Sequence, residues 1–203
     1  MNVVFDSMGT LFRLTPLHER IGVAATEAWF ERILHSAATL TILGEFVPFD
    51  ELARATLSTT VAKLGLVVDE DEVFAELKRL PAAPDAHEAL KRAERAFVLT
   101  NGGCDGGQRL LEHAGLSRLV ERVFGVDEVK AYKPDPRPYR LVLDELGEAT
   151  LVAAHAWDCA GALRAGMGAV WVRSEEKTWP FPDGLLDRDG LREVARLVDV
   201  QAA

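Results

Sequence analysis

The chain has 203 residues, 48% of them hydrophobic and 27% charged, and a formal net charge of -9 at pH 7, which predicts one globular core with room for a small second lobe. The sequence has no basic stripe, no apolar run of membrane-spanning length and no secretory leader pattern, so we expect neither a nucleic-acid partner nor a membrane partner. The two cysteines, Cys104 and Cys159, are too few for a disulfide scaffold and lack metal-ligand spacing, which favours free thiols and a cytoplasmic location.

The first predicted strand ends in the residue around which the chain is organised. Residues 2–5 form a mostly apolar run that predicts a buried parallel strand, and the carboxylate of Asp6 follows directly. Ligands of open parallel sheets bind at the carboxyl ends of the strands. Gly9 lets the backbone turn tightly after the aspartate. On its own, this Asp-x-x-Gly-Thr pattern fits a loop-capping aspartate as well as a reactive one.

The next sixty or so residues predict helices and no strand. Between Pro16 and Leu77 apolar residues recur at helical spacing, with breaks at 44–48 and 65–66. We expect an all-helical insert of three to five helices. The predicted domains are a helical cap at 15–80 and a core formed by 1–14 and 81–203.

After Pro84 helices and strands alternate, which predicts an α/β fold with a Rossmann-like, doubly wound parallel sheet. The predicted strands are Ala96–Leu99, Val123–Phe124, Thr150–Ala154 and Ala169–Val172, and the predicted helices are Ala86–Arg95, Gln108–His113, Pro136–Glu145, Cys159–Ala165 and a last one from about Leu191 to Val198.

Three later stretches place polar residues at the ends of predicted strands or at the starts of predicted helices. Thr100-Asn101-Gly102-Gly103 follows the second strand and can offer a hydroxyl and backbone N–H groups to an anion. Lys133 precedes a Pro-rich helix start, and His155 and Asp158 stand at the head of another helix. Each has a common structural alternative: Asn-Gly is a frequent turn, a lone lysine is usually exposed, and aspartate often caps helices.

Taken in order, these stretches resemble the four motifs of the haloacid dehalogenase superfamily, and the helical insert resembles its helical cap. Asp6, Thr10, Thr100, Lys133 and Asp158 fall on those motifs. The resemblance implies a hydrolase in which Asp6 is the nucleophile and forms a covalent ester. It also implies that Lys133, Asp158 and Thr10 assist the reaction.

Two departures from the phosphatases of this superfamily decide the expected subgroup. Phosphatases carry a second aspartate two residues after the nucleophile and a magnesium-binding aspartate in the fourth motif, where this chain has Met8 and Ala153. A phosphate that approaches Asp6 is repelled by about 4 kcal/mol per charge pair at an effective dielectric constant near 20, and a metal ion normally offsets that repulsion. We therefore expect no cofactor. A Mg²⁺-dependent phosphatase, with the backbone carbonyl of Met8 as a metal ligand, is the first alternative, and a non-catalytic small-molecule-binding relative is the second.

The sequence most resembles the type II, metal-independent 2-haloacid dehalogenases. The run from Lys133 to Tyr139 matches that branch, and Arg32 approximately matches the arginine that holds the departing halide. Proven members carry Ser and Asn where this chain has Ala153 and His155. The predicted partner is a small anionic substrate, and a homodimer is left open. The predicted substrate-binding residues are Met8, Arg32, Thr100, Asn101, Tyr139 and His155.

Overall fold

A six-stranded parallel sheet forms the centre of the computed structural model, which describes residues 1–174, 176–182 and 188–202. The strands are β1 (Asn2–Asp6), β2 (Arg95–Thr100), β3 (Arg122–Gly125), β4 (Ala149–Ala153), β5 (Gly168–Val172) and β6 (Leu191–Val194). Their order is β3-β2-β1-β4-β5-β6, and every pairing between neighbours is parallel. The chain runs outwards from β1 in both directions, which confirms the predicted doubly wound sheet. A crevice for ligands is expected where the strand order reverses, between β1 and β4.

Within the described ranges, eight α-helices cover the sheet and form the insert. They are α1 (Thr15–Ile21), α2 (Val23–Leu43), α3 (Phe49–Leu64), α4 (Glu70–Leu77), α5 (Ala86–Arg92), α6 (Cys104–His113), α7 (Pro136–Leu146) and α8 (Ala156–Ala165). The helices α1–α4 make up the segment between β1 and α5, here named the helical insert, as the apolar periodicity predicted. Among the described residues, none of the helices is both long enough and apolar enough to cross a membrane.

The alternation of side chains along the strands divides the core into two layers. Val3 and Phe5 of β1 face one layer, which continues into the helical insert, whereas Val4 faces the other layer under α7 and α8. Successive side chains of a strand point to opposite faces, so a strand that is buried on both faces reads as a continuous apolar run. Within the insert, Trp29 joins α2 to α3, since its Nε1 donates to the carbonyl of Ala53 at 3.0 Å.

The prediction of a last helix from about Leu191 to Val198 is wrong. Leu191–Val194 is β6, which pairs with β5 at the edge of the sheet, and only a 3-10 helix, Leu197–Ala202, follows it. The free edge of β5 offers unpaired N–H and C=O groups, and a parallel strand satisfies them. An apolar residue at each end of a four-residue run fits a strand or a helix, and here the pairing partner decides.

Candidate active site

Three neighbouring strands deliver the polar residues of the site to one edge of the sheet. Asp6 is the last residue of β1, Thr100 is the last residue of β2, and His155 follows two residues after the end of β4. Because the strands are parallel and adjacent, their carboxyl ends meet at the same edge. Lys133 reaches this edge from the loop before α7.

The carboxylate of Asp6 is held on both oxygens. Lys133 Nζ donates to Oδ1 at 2.8 Å, and Thr10 Oγ1 donates to Oδ2 at 2.8 Å. His155 Nδ1 lies 3.3 Å from the same Oδ2. The Thr10 hydroxyl is itself fixed, since it accepts from the backbone N–H of Ala154 at 2.9 Å. Oδ1 therefore has one neighbouring donor, and Oδ2 has two close polar contacts.

Burial and charge act in opposite directions on Asp6. Burial alone would raise the pKa of this carboxyl, but the Lys133 ammonium and His155 outweigh it and hold the pKa well below its usual value. Asp6 is thus ionised at neutral pH, which a carboxylate nucleophile requires.

Lys133 is a buried, fully engaged cation and not a surface lysine. Besides Asp6, its Nζ donates to Asp158 Oδ2 at 2.6 Å and to the carbonyl of Leu99 at 3.1 Å, so each of its three protons has an acceptor. Burial would lower the pKa of this ammonium, but Asp158 and Asp6 raise it above its usual value. The side chain therefore keeps its positive charge directly behind the Asp6 carboxylate.

Asp158 supports Lys133 from within the core. The carboxylate is fully buried in the first turn of α8, where Oδ2 accepts from Lys133 and Oδ1 accepts from the Tyr139 hydroxyl at 2.6 Å. Burial raises the pKa of Asp158 even though Lys133 opposes that shift. Gly161 leaves the space for this contact, because a Cβ there would lie 2.5 Å from the Tyr139 oxygen.

A cavity of about 680 Å³ lies between the helical insert and the strand ends, and Asp6 is part of its wall. Four other predicted site residues also line it, namely Met8, Thr100, Asn101 and His155. The remaining lining residues are Leu14, His18, Thr26, Glu27, Phe30, Glu31, Ile33, Leu34, Phe49, Gly102, Trp157 and Glu176. The cavity is large enough for a small organic substrate.

Known proteins with similar sequences belong to the family that the motifs and the fold of this chain indicate. Residues 1–166 match the sequence profile of haloacid dehalogenase-like hydrolases. The chain belongs to this family. A similar protein, (S)-2-haloacid dehalogenase 1 of Pseudomonas sp. strain CBS-3, is 31% identical over 193 residues, which span 86% of this chain and 85% of that one. (S)-2-haloacid dehalogenase 4A of Burkholderia cepacia is 30% identical over 190 residues, which span 85% and 82%.

Solved structures of the family show the same architecture. The L-2-haloacid dehalogenase of Xanthobacter autotrophicus superposes with a TM-score of 0.86 at 25% identity, covering 99% of this chain and 96% of that chain. A dehalogenase solved with an intermediate complex gives a TM-score of 0.88 at 25% identity, covering 99% and 95%. The superfamily inferred from the motifs is therefore confirmed.

The residues of the site do not fit a magnesium ion. Magnesium prefers several hard oxygen ligands, but the fourth-motif position is Ala153, and the ammonium of Lys133 already lies against Asp6 Oδ1. No group of three or more His, Cys, Asp or Glu in the described part of the chain is arranged to hold a metal ion. Lys133 supplies the positive charge on this side of the carboxylate.

Two of the predicted substrate-binding residues do not reach the cavity. Tyr139 is fully buried and ends on Asp158, so it supports the cluster from below. Arg32 donates from Nε to Thr60 of α3 at 3.1 Å and does not line the cavity. It lies about 200° around α2 from Phe30, at about 100° per residue, and Phe30 is one of the α2 residues that line the cavity.

Thr100 and Asn101 line the cavity and also organise the strand ends. Thr100 Oγ1 accepts from the backbone N–H of Gly102 at 2.9 Å, which shapes the turn after β2. Asn101 Oδ1 accepts from the backbone N–H of Lys133 at 3.0 Å, which ties the lysine loop to that turn. The two side chains therefore position backbone as well as facing the cavity.

Several carboxylates of the cavity wall escaped the sequence prediction. Glu27 and Glu31 belong to the same face of α2 as Phe30 and Leu34, so the helical spacing could have indicated them. Glu176 had no sequence signal. It comes from the loop after β5, and its Oε2 accepts from the backbone N–H of Ala156 at the start of α8, at 2.8 Å.

Proposed function

We propose that the chain hydrolyses the carbon–halogen bond of a small 2-haloacid through a covalent ester on Asp6, without a metal ion. One observation carries this proposal: an ionised carboxylate lies in the wall of a cavity and is backed by a buried ammonium. The relatives whose names specify (S)-2-haloacids support the substrate class.

In the first step, Asp6 displaces the halide. Oδ1 contacts a single donor, Lys133, and therefore has a lone pair available for attack on the carbon that bears the halogen. A carbon–oxygen bond forms, the carbon–halogen bond breaks, and the halide leaves with the bonding electrons. Halide needs no proton to leave, so Met8 can stand where phosphatases of the superfamily carry an acid. Displacement from the rear inverts the configuration of the carbon.

In the second step, water attacks the carboxyl carbon of the Asp6 ester. When the ester is on Oδ1, Oδ2 is its carbonyl oxygen and already receives the Thr10 hydroxyl at 2.8 Å. A donor placed before the reaction stabilises the oxyanion that develops on this atom. Collapse of the tetrahedral intermediate releases a 2-hydroxyacid and restores the Asp6 carboxylate.

The helical insert acts as a cap in this proposal. Phe30, Ile33 and Leu34 of α2 line the cavity together with Asp6. Apolar side chains over the nucleophile exclude water during the first step and strengthen the charge interactions inside the cavity. The cap thereby favours displacement by Asp6 over direct attack by solvent.

Halide release from the two enantiomers of 2-chloropropionate tests the function. We expect one enantiomer to react, Asp6→Asn to remove turnover, and Asp144→Asn, an exposed aspartate on α7, to have no effect. EDTA should leave the rate unchanged. If EDTA abolished turnover and Mg²⁺ restored it, a metal-dependent mechanism would replace this one.

A single turnover in ¹⁸O-labelled water, with enzyme in excess, tests the covalent route. An ester on Asp6 places an unlabelled carboxylate oxygen in the product and leaves the label in the protein. Mass spectrometry of the product and of the peptide containing Asp6 distinguishes the two routes. Label in the product of the first turnover would mean direct attack by water and would rule out the ester.

A further inference from the structure

We propose that His155 takes the proton from the water that hydrolyses the Asp6 ester, an inference that rests on the function proposed above. Water is a weak nucleophile, and a positioned base typically accelerates such an attack by about 10²- to 10⁴-fold. The relatives' chemistry does not by itself name this base, because the position of His155 is one at which proven dehalogenases differ from this chain.

The polar groups that hold Asp6 and Lys133 in place are poorly suited to take that proton. Each oxygen of Asp158 already accepts a hydrogen bond, and the side chain is fully buried and does not line the cavity that would hold the water. Lys133 is protonated, since its pKa is raised. Burial and Asp158 raise the pKa of Tyr139 well above its usual value, and its hydroxyl donates to Asp158. The Thr10 hydroxyl donates its single proton to Asp6 and accepts from a backbone N–H.

His155 combines access to the cavity with contact to the reacting carboxyl. Its side chain is 27% exposed and lines the cavity, and its Nδ1 lies 3.3 Å from Asp6 Oδ2. A water that bonds to Nδ1 is therefore also next to the carboxyl carbon of Asp6. The ring is held on two sides, by Trp157 stacked at 5.7 Å between centroids and by Gly9, where a Cβ would come within 2.5 Å of its Cε1.

The charge of Asp6 links ester formation to ester hydrolysis, because it influences the pKa of His155. The charged groups that face His155 are Asp6 from β1, Asp158 from α8 and Glu176 from the loop after β5. Burial would lower the pKa of the imidazole, but the Asp6 hydrogen bond and these three charges raise it above its usual value. Formation of the ester removes the charge of Asp6, so the pKa of His155 falls and the ring can release its proton. His155 is then a neutral base when the water attacks.

The proton balance closes over one cycle. When the halide leaves, His155 gives its proton to solvent. The water oxygen then bonds to the Asp6 carboxyl carbon, its proton passes to Nδ1, and that proton moves on to the departing alkoxide as the ester bond breaks. The newly formed Asp6 carboxylic acid returns its proton to His155, which restores the starting pair. The net products are hydroxyacid, halide and one proton.

Rapid-quench kinetics of His155→Asn with 2-chloropropionate test this assignment. We expect one equivalent of halide per site, formed less than about tenfold more slowly than in the wild type, followed by ester hydrolysis slowed about 10²- to 10⁴-fold, the range of general-base effects. The ester should accumulate on the peptide that contains Asp6. His113→Asn, at an exposed histidine of α6, is the control and should behave as the wild type.

His155→Ala with added imidazole separates proton transfer from positioning. If the base is the missing group, millimolar imidazole should speed ester hydrolysis in this variant and not in the wild type. A folded His155→Ala enzyme that stays slow in imidazole would overturn the assignment, as would wild-type ester hydrolysis in His155→Asn. If the wild type releases no halide, the proposed function fails, and the role of His155 fails with it. Halide release with normal turnover in the variant contradicts only the role of His155.

Discussion

At the scale of single residues, one ammonium contacts two buried carboxylates whose pKa values are shifted in opposite directions. Lys133 contacts both Asp6 and Asp158, yet the pKa of Asp6 is lowered and that of Asp158 is raised. Asp6 has His155 as a further positive neighbour, whereas Asp158 is deeper in the core. The negative charge is therefore favoured on the carboxylate that faces the cavity.

Lys133→Met should destabilise the fold strongly. Methionine nearly preserves the length of the side chain but leaves two buried carboxylates without their cation, and breaking a buried ion pair in this way costs about 3–5 kcal/mol in the free energy of unfolding. Urea denaturation at pH 7 measures the loss. Because the unpaired carboxyls acquire raised pKa values, acid should reduce the difference from the wild type.

Lys78→Met is the matched control for that experiment. Its ion pair with Asp50 spans 3.4 Å, and both side chains are 49% exposed, so its loss should cost less than about 1 kcal/mol. Equal destabilisation by the two substitutions would contradict a special contribution from the buried cluster.

Asp6→Asn should lower the pKa of His155. In the wild type, that pKa lies above the usual 6.5, in large part because Asp6 accepts a hydrogen bond and carries a negative charge. The amide removes the charge, while Asp158 and Glu176 remain. An NMR titration of the imidazole resonances measures the shift, with Asp144→Asn as the variant that should not change it. An unaltered His155 titration in Asp6→Asn would be incompatible with charge coupling.

The same shift predicts how stability depends on pH. The folded pKa of His155 exceeds its unfolded value, so its protonation stabilises the fold below the unfolded pKa of about 6.5. This contribution is lost as the pH rises through the folded pKa. The difference in free energy of unfolding between the wild type and His155→Asn, measured by urea denaturation, should therefore decrease from pH 5 to pH 9. An increase over this range would contradict a raised pKa of His155 in the folded protein.

At the scale of elements, the site depends on the close approach of α7 and α8. Tyr139 of α7 reaches Asp158 of α8 across Gly161, and no side chain at that glycine separates the two helices. Small residues also surround it in sequence, since Ala160 and Ala162 are buried. The backbone approach is what brings a tyrosine hydroxyl onto the carboxylate that holds Lys133.

Gly161→Ala should disrupt this contact. The added Cβ would lie 2.5 Å from the Tyr139 oxygen and 2.8 Å from Pro134 Cβ, so overpacking should cost about 1–3 kcal/mol of stability and reduce activity. Gly106→Ala in α6 is the control, since nothing lies within 4 Å of its Cβ, and it should stabilise the helix by about 0.5–1 kcal/mol. Thermal denaturation compares the two. If Gly161→Ala were more stable than the wild type, α7 and α8 could move apart without a loss of stability, which would contradict this prediction.

At the scale of the whole molecule, the cavity carries negative charge like the chain around it. The four carboxylates of its wall are Asp6, Glu27, Glu31 and Glu176, and its described lining contains no lysine or arginine. The formal net charge of the chain is -9. This field opposes the entry of an anionic substrate.

Glu27→Gln should therefore increase kcat/KM for 2-chloropropionate. If the charges are taken as about 10 Å apart in a water-like dielectric near 80, removing one of them changes the rate by roughly a factor of two. The neutral 2-chloropropionamide should show no such gain. Glu148→Gln, an exposed glutamate remote from the cavity lining, makes the same change in net charge and should have little effect. Equal gains with the acid and the amide would point to a steric cause.

The sequence by itself determined the class of the fold and which polar residues lie together at the edge of the sheet. Alternating strands and helices specify a parallel sheet, and in such a sheet the strand ends meet at one edge, so Asp6 and Thr100 could be placed together before any coordinates. Lys133 and Asp158 could be added from the order of the motifs. The fold class could be inferred because the periodicities of strands and helices are properties of local sequence, whereas Lys133 and Asp158 were placed by the resemblance of their motifs to the family.

Only the tertiary structure decided which side chains face the cavity. Arg32 turns towards α3 because the packing of α2 on α3 sets the rotation of the helix, and Tyr139 is buried because Gly161 lets α8 approach. Glu176 contacts the start of α8 because the loop after β5 folds back towards that helix. Leu191–Val194 forms a strand because β5 offers an unpaired edge. Each of these depends on a partner distant in sequence, and local periodicity carries no information about that partner.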